Sequence, residues 1–369
     1  MQDRLTFKEI LQDLAKAQAS GEGKPLVGWT CTYLPVEILE AAGLQPYRIL
    51  PEPSSEKADG YLDPNMCPLV KTNLGKAITG GYSFLSGIII LNTCDGMRRL
   101  YDAWRFYCPS PFSFLLDVPK TVTSLSVSYF KERLKELATQ VEKHFKVEIT
   151  TDSLNQAIEE ANLTRSLSRR LISLQGRGAP PVKHSELLDL LSLGSRTPRS
   201  VFNKALEKMV RVLEGEPAGV SNAYRLLLTG SSLDGSALVR LIEELGGEVT
   251  ISDICPGTRF VDYVEPSADP LFSLSHAYLH KTACARMFDS ESRISALKES
   301  LLKSKAQGVV YFSLKFCDPF LYEAPFLEEA LRELDIPVLF LEGEYTGRVG
   351  GGVRTRVQAF LEMLEKNGK

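Results

Sequence analysis

Apolar positions along the chain follow two alternating rhythms. Short continuous runs of strand length stand at "KPLVGW" (24–29), "PYRIL" (46–50), "SGIIILN" (86–92) and "FSFLLDV" (112–118). Between the first two lies "VEILEAAG" (36–43), which has helical spacing and stops at Gly43. The second half repeats the order, with strands at "YRLLL" (224–228), "EVTIS" (248–252), "GVVYFS" (308–313) and "IPVLFLE" (336–342). Its first helix is "SALVRLIEELGG" (236–247), and a last helix follows the final strand. Runs that are apolar throughout suit strands buried on both faces. The pattern therefore predicts parallel sheets covered by helices, one in each half, as a pseudo-repeat.

From about Ser124 to Glu216 the strand signals vanish and long helical patterns replace them: "YFKERLKELATQVEKHF", "LNQAIEEANLTRSLSRRLISLQ", "HSELLDLLSLG" and "RSVFNKALEKMVRVLEG". The N-terminal stretch carries charges throughout and an apolar stripe at Leu5, Ile10, Leu11 and Leu14, the signature of an amphipathic helix. The division expected is an N-terminal helix (1–24), a first α/β domain (25–123), a helical region (124–216) and a second α/β domain (217–369). "EGEPAG" at 214–219 reads as the hinge.

Composition narrows the classes. At 369 residues and 44% hydrophobic the chain can build more than one core. Net charge is −3 with the basic residues dispersed, which argues against a nucleic-acid partner. No apolar run approaches the roughly 20 residues of a membrane span, and the charged start does not read as a signal peptide, so the expected location is cytoplasmic. Seven cysteines, none spaced Cys-x-x-Cys, disfavour both disulfides and a local zinc knuckle. A metal site would have to be assembled from distant segments.

The placement of the cysteines is informative. Cys94 and Cys317 each follow a predicted buried strand and open a helix, the end of a parallel sheet where ligands sit. Cys67 precedes Pro68, a residue suited to a first helical position, and Cys31 follows the first strand. A helix N-terminus favours a thiolate over a thiol. Thiolates gathered there suit an iron–sulfur cluster or zinc, and three of them would leave one iron open. Taken singly, each cysteine also fits a small buried hydrophobe. Asp95 and Asp318 read as helix-terminal acceptors. "GRVGGG" (347–352) with Arg354 and Arg356 is a candidate phosphate turn, His276 and His280 a structural pair, and Glu37, Glu342 and Glu344 candidate bases. No catalytic residue is assigned.

Six segments in order, "GWTCTYLPVEILEAAGLQPYRI", "MCPLVKTNLG", "NTCDGMRRLYD", "LIEELGGEVTISDICPGTR", "KFCDP" and "LEGEYTGRVGGGVRTRVQAFLEML", resemble the 2-hydroxyacyl-CoA dehydratase and benzoyl-CoA reductase family in its cluster-bearing subunits. The resemblance implies two Rossmann- or flavodoxin-like domains with a 4Fe-4S cluster at their interface, held by Cys67, Cys94 and Cys317, with Cys31 nearby. It also implies an oxygen-sensitive enzyme of anaerobic metabolism. A low-potential electron would enter the thioester of an (R)-2-hydroxyacyl-CoA, and the ketyl radical anion so formed would expel the hydroxyl. Reduction of an aryl-CoA ring is the alternative. The implied partners are a homologous second subunit and an ATP-hydrolysing iron–sulfur activator, since the chain has no phosphate loop of its own. A related branch holds a double-cubane cluster with additional cysteines, and Cys31, Cys255 and Cys284 stand in family-like positions. "AITGGYSF" (77–84) lacks the further cysteine usual in that branch, which places the double-cubane or non-catalytic reading second. Gly352 stands where the family commonly has Gln, leaving open which of the two homologous chains faces substrate.

Overall fold

The computed structural model describes residues 7–20, 23–51, 58–176, 178–215, 219–255, 257, 259–260, 262–345 and 349–367. After helix α1 (Phe7–Ser20) the first half runs β1 (Leu26–Trp29), α2 (Glu37–Ala41), β2 (Gln45–Arg48), α3 (Pro68–Ile78), β3 (Gly87–Asn92), α4 (Asp95–Tyr107) and β4 (Ser113–Asp117). A helical region follows, with α5 (Ser124–Phe145), α6 (Thr151–Ser173), α7 (His184–Gly194) and α8 (Arg199–Leu213). The second half runs β5 (Tyr224–Gly230), α9 (Ala237–Glu244), β6 (Gly247–Asp253), α10 (Pro270–His280), α11 (Ser290–Ser304), β7 (Gly308–Leu314), α12 (Asp318–Arg332), β8 (Val338–Gly343) and α13 (Gly351–Asn367). Each half contains a four-stranded sheet, parallel throughout, with orders β2-β1-β3-β4 and β6-β5-β7-β8. The two orders are the same, as the pseudo-repeat requires.

The central strands owe their position to unbroken apolar sequence. Gly87–Leu91 of β3 and Gly308–Tyr311 of β7 are buried at every residue, so both faces of each strand need helical cover. The helical region begins where Thr123 caps α5 by accepting from the Ser126 N–H, and α6 where Thr150 and Ser153 cap one another. Leu167, Leu171, Leu187, Leu190, Phe202 and Leu206 of α6, α7 and α8 form a core of their own with Ile10 and Leu14 of α1. That bundle is tied to both halves. Arg196 Nε donates to Arg48 O at 2.8 Å on one side, and Asn162 Nδ2 donates to Val264 O at 2.7 Å on the other.

The sequence pattern left α11 unassigned, and the structure makes it the crossover into β7. Residues 216–218 of the expected hinge lie outside the described residues. Among the described residues no helix is long and apolar enough to cross a membrane.

Candidate functional site

The strand orders create one crevice at the carboxyl end of each sheet, between β1 and β3 and between β5 and β7, where successive connections leave in opposite directions. Cys31 follows β1, Cys94 follows β3, Ser231 follows β5 and Cys317 follows β7. Topology therefore delivers three cysteines and a serine to the two switch points.

Cys67, Cys94 and Cys317 are the N-cap residues of α3, α4 and α12. The first N–H groups of each helix have no acceptor within the helix, and that end of its dipole is positive, a field that favours negative charge nearby. The aspartates do not cap. Asp95 and Asp318 are the first residues inside α4 and α12, where a carboxylate still complements the dipole.

Cys67 and Cys317 come from opposite halves, yet each shifts the ionisation of the other. The Cys67 side chain is the main reason Cys317 is lowered to about 6. Arg286 and the Ser231 hydroxyl add to it against burial. Cys317 pushes Cys67 well up in turn, and burial adds to the rise. Cys94 stands beside the start of α3. A side chain built on Gly96 would begin 4.0 Å from Cys94 Sγ and 3.7 Å from Met66 Sδ.

A group of cations completes the basin. Arg286 Nη1 lies 3.6 Å from Cys284 Sγ, and Arg259 Nη1 approaches the same sulfur at 3.8 Å. Burial disfavours the Arg286 charge, but Cys94, Cys284, Cys317 and Cys31 around it outweigh that and hold it well above its ordinary range. Cys255 is drawn down against its burial by Arg259, Arg48, Lys281 and Arg286. Burial lowers Lys281 to about 8, while its ammonium donates to Thr32 O at 2.7 Å. Burial pushes Cys31 up, and neighbouring Cys255 adds to the rise. Six of the seven cysteines thus share one basin. Cys108 stands apart as the C-cap of α4, its thiol raised by burial alone.

The donor set fits an iron–sulfur cluster. The converging groups are all thiols, three sit on helix N-termini, and Arg286 supplies the positive charge that thiolates and an anionic cluster need. Among the described residues no three His, Cys, Asp or Glu side chains are placed to enclose a single metal ion. A cluster takes its thiolates at separate corners, so that finding bears on one ion.

The other candidates stand away from the cysteine basin or are engaged by neighbouring groups. Glu37 is fully buried, bonded to Arg165 and to Tyr278 Oη at 2.8 Å; Arg165 and Arg199 overcome its burial and keep the carboxyl low. Glu344 pairs with Lys315 at 2.9 Å on the exposed surface, and Glu342 is exposed. His276 and His280 stack at 4.0 Å on the outer face of α10. Arg354 faces Glu244 at 3.6 Å and Arg356 donates to Phe340 O; residues 347–348 of the glycine turn lie outside the described residues. Sequence reasoning missed Arg48, Arg259, Lys281 and Arg286. Only "KTACARM" held a local signal, with two cations flanking Cys284.

The sequence is similar to those of known proteins. Residues 31–364 match the family described as 2-hydroxyglutaryl-CoA dehydratase, D-component. YjiM of Escherichia coli K12, whose name assigns it to a dehydratase, is 28% identical over 93% of this chain and 92% of its own. The (R)-phenyllactyl-CoA dehydratase beta subunit of Clostridium sporogenes is 25% identical over 97% of each chain. A benzoyl-CoA reductase subunit of Thauera aromatica is 25% identical over 96% of this chain and 95% of its own. With the match running from Cys31 beyond Cys317 and into the last helix, the chain belongs to the 2-hydroxyglutaryl-CoA dehydratase D-component family.

Proposed function

We propose that the chain is one subunit of an oxygen-sensitive, cytoplasmic (R)-2-hydroxyacyl-CoA dehydratase, with a 4Fe-4S cluster held by Cys67, Cys94 and Cys317. The observation that carries this reading is the convergence of those three helix-capping thiols on Arg286 at the junction of the two halves. When bound, such a cluster supplies single electrons at low potential, through which a 2-hydroxyacyl thioester expels its hydroxyl as a ketyl radical anion.

The chain's own residues prepare the site. The three helix N-termini turn their positive dipole ends toward the sulfurs, and Arg286 helps draw Cys317 down. Lys120, donating to Asn92 O at 2.8 Å, places another cation near Cys94 and Cys31. Tyr345 is buried beside Cys67 and Cys317 with its hydroxyl on Ser232 O at 2.7 Å, closing that wall against water.

Relatives that are themselves named as single subunits of larger enzymes support a homologous second subunit here. A separate ATP-hydrolysing activator supplies the electron. The test is anaerobic assay of the chain with a homologous subunit and an activator, ATP and reductant. Many 2-enoyl-CoA products per electron uphold the dehydratase. Electrons consumed at every turnover with reduction of an aryl-CoA ring establish the second reading, which the equal identity to the Thauera chain keeps in play. Twice the iron of one cluster, without turnover, would favour a double-cubane protein.

A further inference from the structure

A cavity of about 180 Å³ lies where the first sheet, the helical bundle and the loop after β6 meet. Its wall carries four guanidinium groups, and three of them are engaged by carboxylates: Arg165 by Glu37, Arg199 by Glu40 and Arg259 by Asp253. The fourth is Arg48. It is only 5% exposed, and no carboxylate among the described residues pairs with it. Its guanidinium lies close enough to Cys255 to be influenced by it, and its Nε has no hydrogen-bond partner. The guanidinium lies 4.9 Å from the Trp29 ring centre, and the buried Trp29 Nε1 is likewise without a partner. Both residues line the cavity, so two buried donors lack acceptors at one place. Leu34, Val36, Leu191 and Phe202 supply an apolar wall in the same space.

We propose that this cavity is a binding site for a short-chain carboxylate, its oxygens accepting from Arg48 Nε and Trp29 Nε1 and its alkyl chain lying against Leu34, Val36, Leu191 and Phe202. A buried guanidinium with no carboxylate partner and an indole N–H without an acceptor are both costly, and one carboxylate satisfies the two together. A neutral ligand would supply an acceptor but no charge. Arg48 also lines the smaller cavity beside Cys31 and Cys255, so the site adjoins the cysteine basin without including its proposed ligands. The carboxylate has two sources, a free acid or the distal carboxylate of a dicarboxylic acyl thioester.

The test uses the full chain, with or without iron, and so stands apart from any activity. The chain has two tryptophans, so in a Trp104→Phe background the emission reports Trp29 alone. Titration with pentanoate, pentanamide, glutaryl-CoA and pentanoyl-CoA is followed by emission and by calorimetry. The expected result is saturable binding of a carboxylate at least about ten-fold tighter than its neutral counterpart, reduced about ten-fold or more in Arg48→Met. Preference for pentanoate over pentanamide assigns the site to free acids, and preference for glutaryl-CoA over pentanoyl-CoA assigns it to acyl thioesters. The proposal fails if neither carboxylate binds, if the neutral ligands bind equally well, or if a folded Arg48→Met binds as the parent does. Should that variant not fold, the carboxylate-to-neutral ratio of the parent decides alone.

Discussion

Cys67 and Cys317, the N-cap residues of helices in opposite halves, are near enough that each changes the other's ionisation, Cys317 drawn down and Cys67 pushed up. The two α/β units therefore meet through their chemistry as well as through their packing. Neither half alone can complete the site, so its loading reports on whether both are correctly placed.

Anaerobically prepared protein should be brown with about four irons per chain. Cys67→Ser, Cys94→Ser and Cys317→Ser should each drop below about one, because two thiolates do not hold a cube. Cys108→Ala should keep the full complement, since Cys108 lies outside the basin. Iron and sulfide analysis checks this; stoichiometric zinc in a colourless protein would rule the cluster out.

Arg286 should help set the charge state of Cys317 in the cluster-free protein. Cys317 is lowered to about 6 from an ordinary 9.0, so its thiolate is present above that value and lost as pH falls through it. Any stability the lowered value contributes is complete above about 9 and disappears through about 6. Arg286→Gln should move the midpoint upward by about one pH unit, read as the difference in ultraviolet thiolate absorbance from Cys317→Ser. An unchanged midpoint would mean that Arg286 does not contribute.

Gly230 ends β5 immediately before the crevice with φ +128, and a Cβ there would lie 1.9 Å from Phe312 O on β7. Gly235 has φ +125 but open space around it. Gly235→Ala should cost about 1–3 kcal/mol from backbone strain, and Gly230→Ala more than that, because it also wedges two paired strands apart. Chemical denaturation of the two variants checks the order.

The isolated chain with a full cluster should be inert toward acyl-CoA thioesters, because no phosphate loop couples ATP to an uphill electron transfer. Activity should appear with the second subunit, activator, ATP and reductant together. Turnover by the lone chain without ATP would refute the proposed mechanism.

The strands and the three helix-capping cysteines were legible because their causes are local. An unbroken run such as Gly87–Leu91 can only be a segment buried on both faces, and Cys-Asp between such a run and a helical pattern can only stand at the strand's carboxyl end. Two equal runs of this kind in the same order already specify the repeated architecture. The candidate bases were illegible for the opposite reason. Glu37 reads as a free carboxylate until α6 brings Arg165 against it from a remote part of the chain.

What the sequence by itself determined was therefore the elements, their parallel pairing and the ends at which Cys67, Cys94 and Cys317 stand. What only the tertiary structure decided was which charges share their space. Arg48, Arg259, Lys281 and Arg286 come from β2, the loop after β6 and the segment after α10, and nothing in their spacing says that they face sulfur. Strand and helix follow from neighbours a few residues apart, whereas a buried charge takes its meaning from groups that folding brings to it, and those are named nowhere near it in the chain.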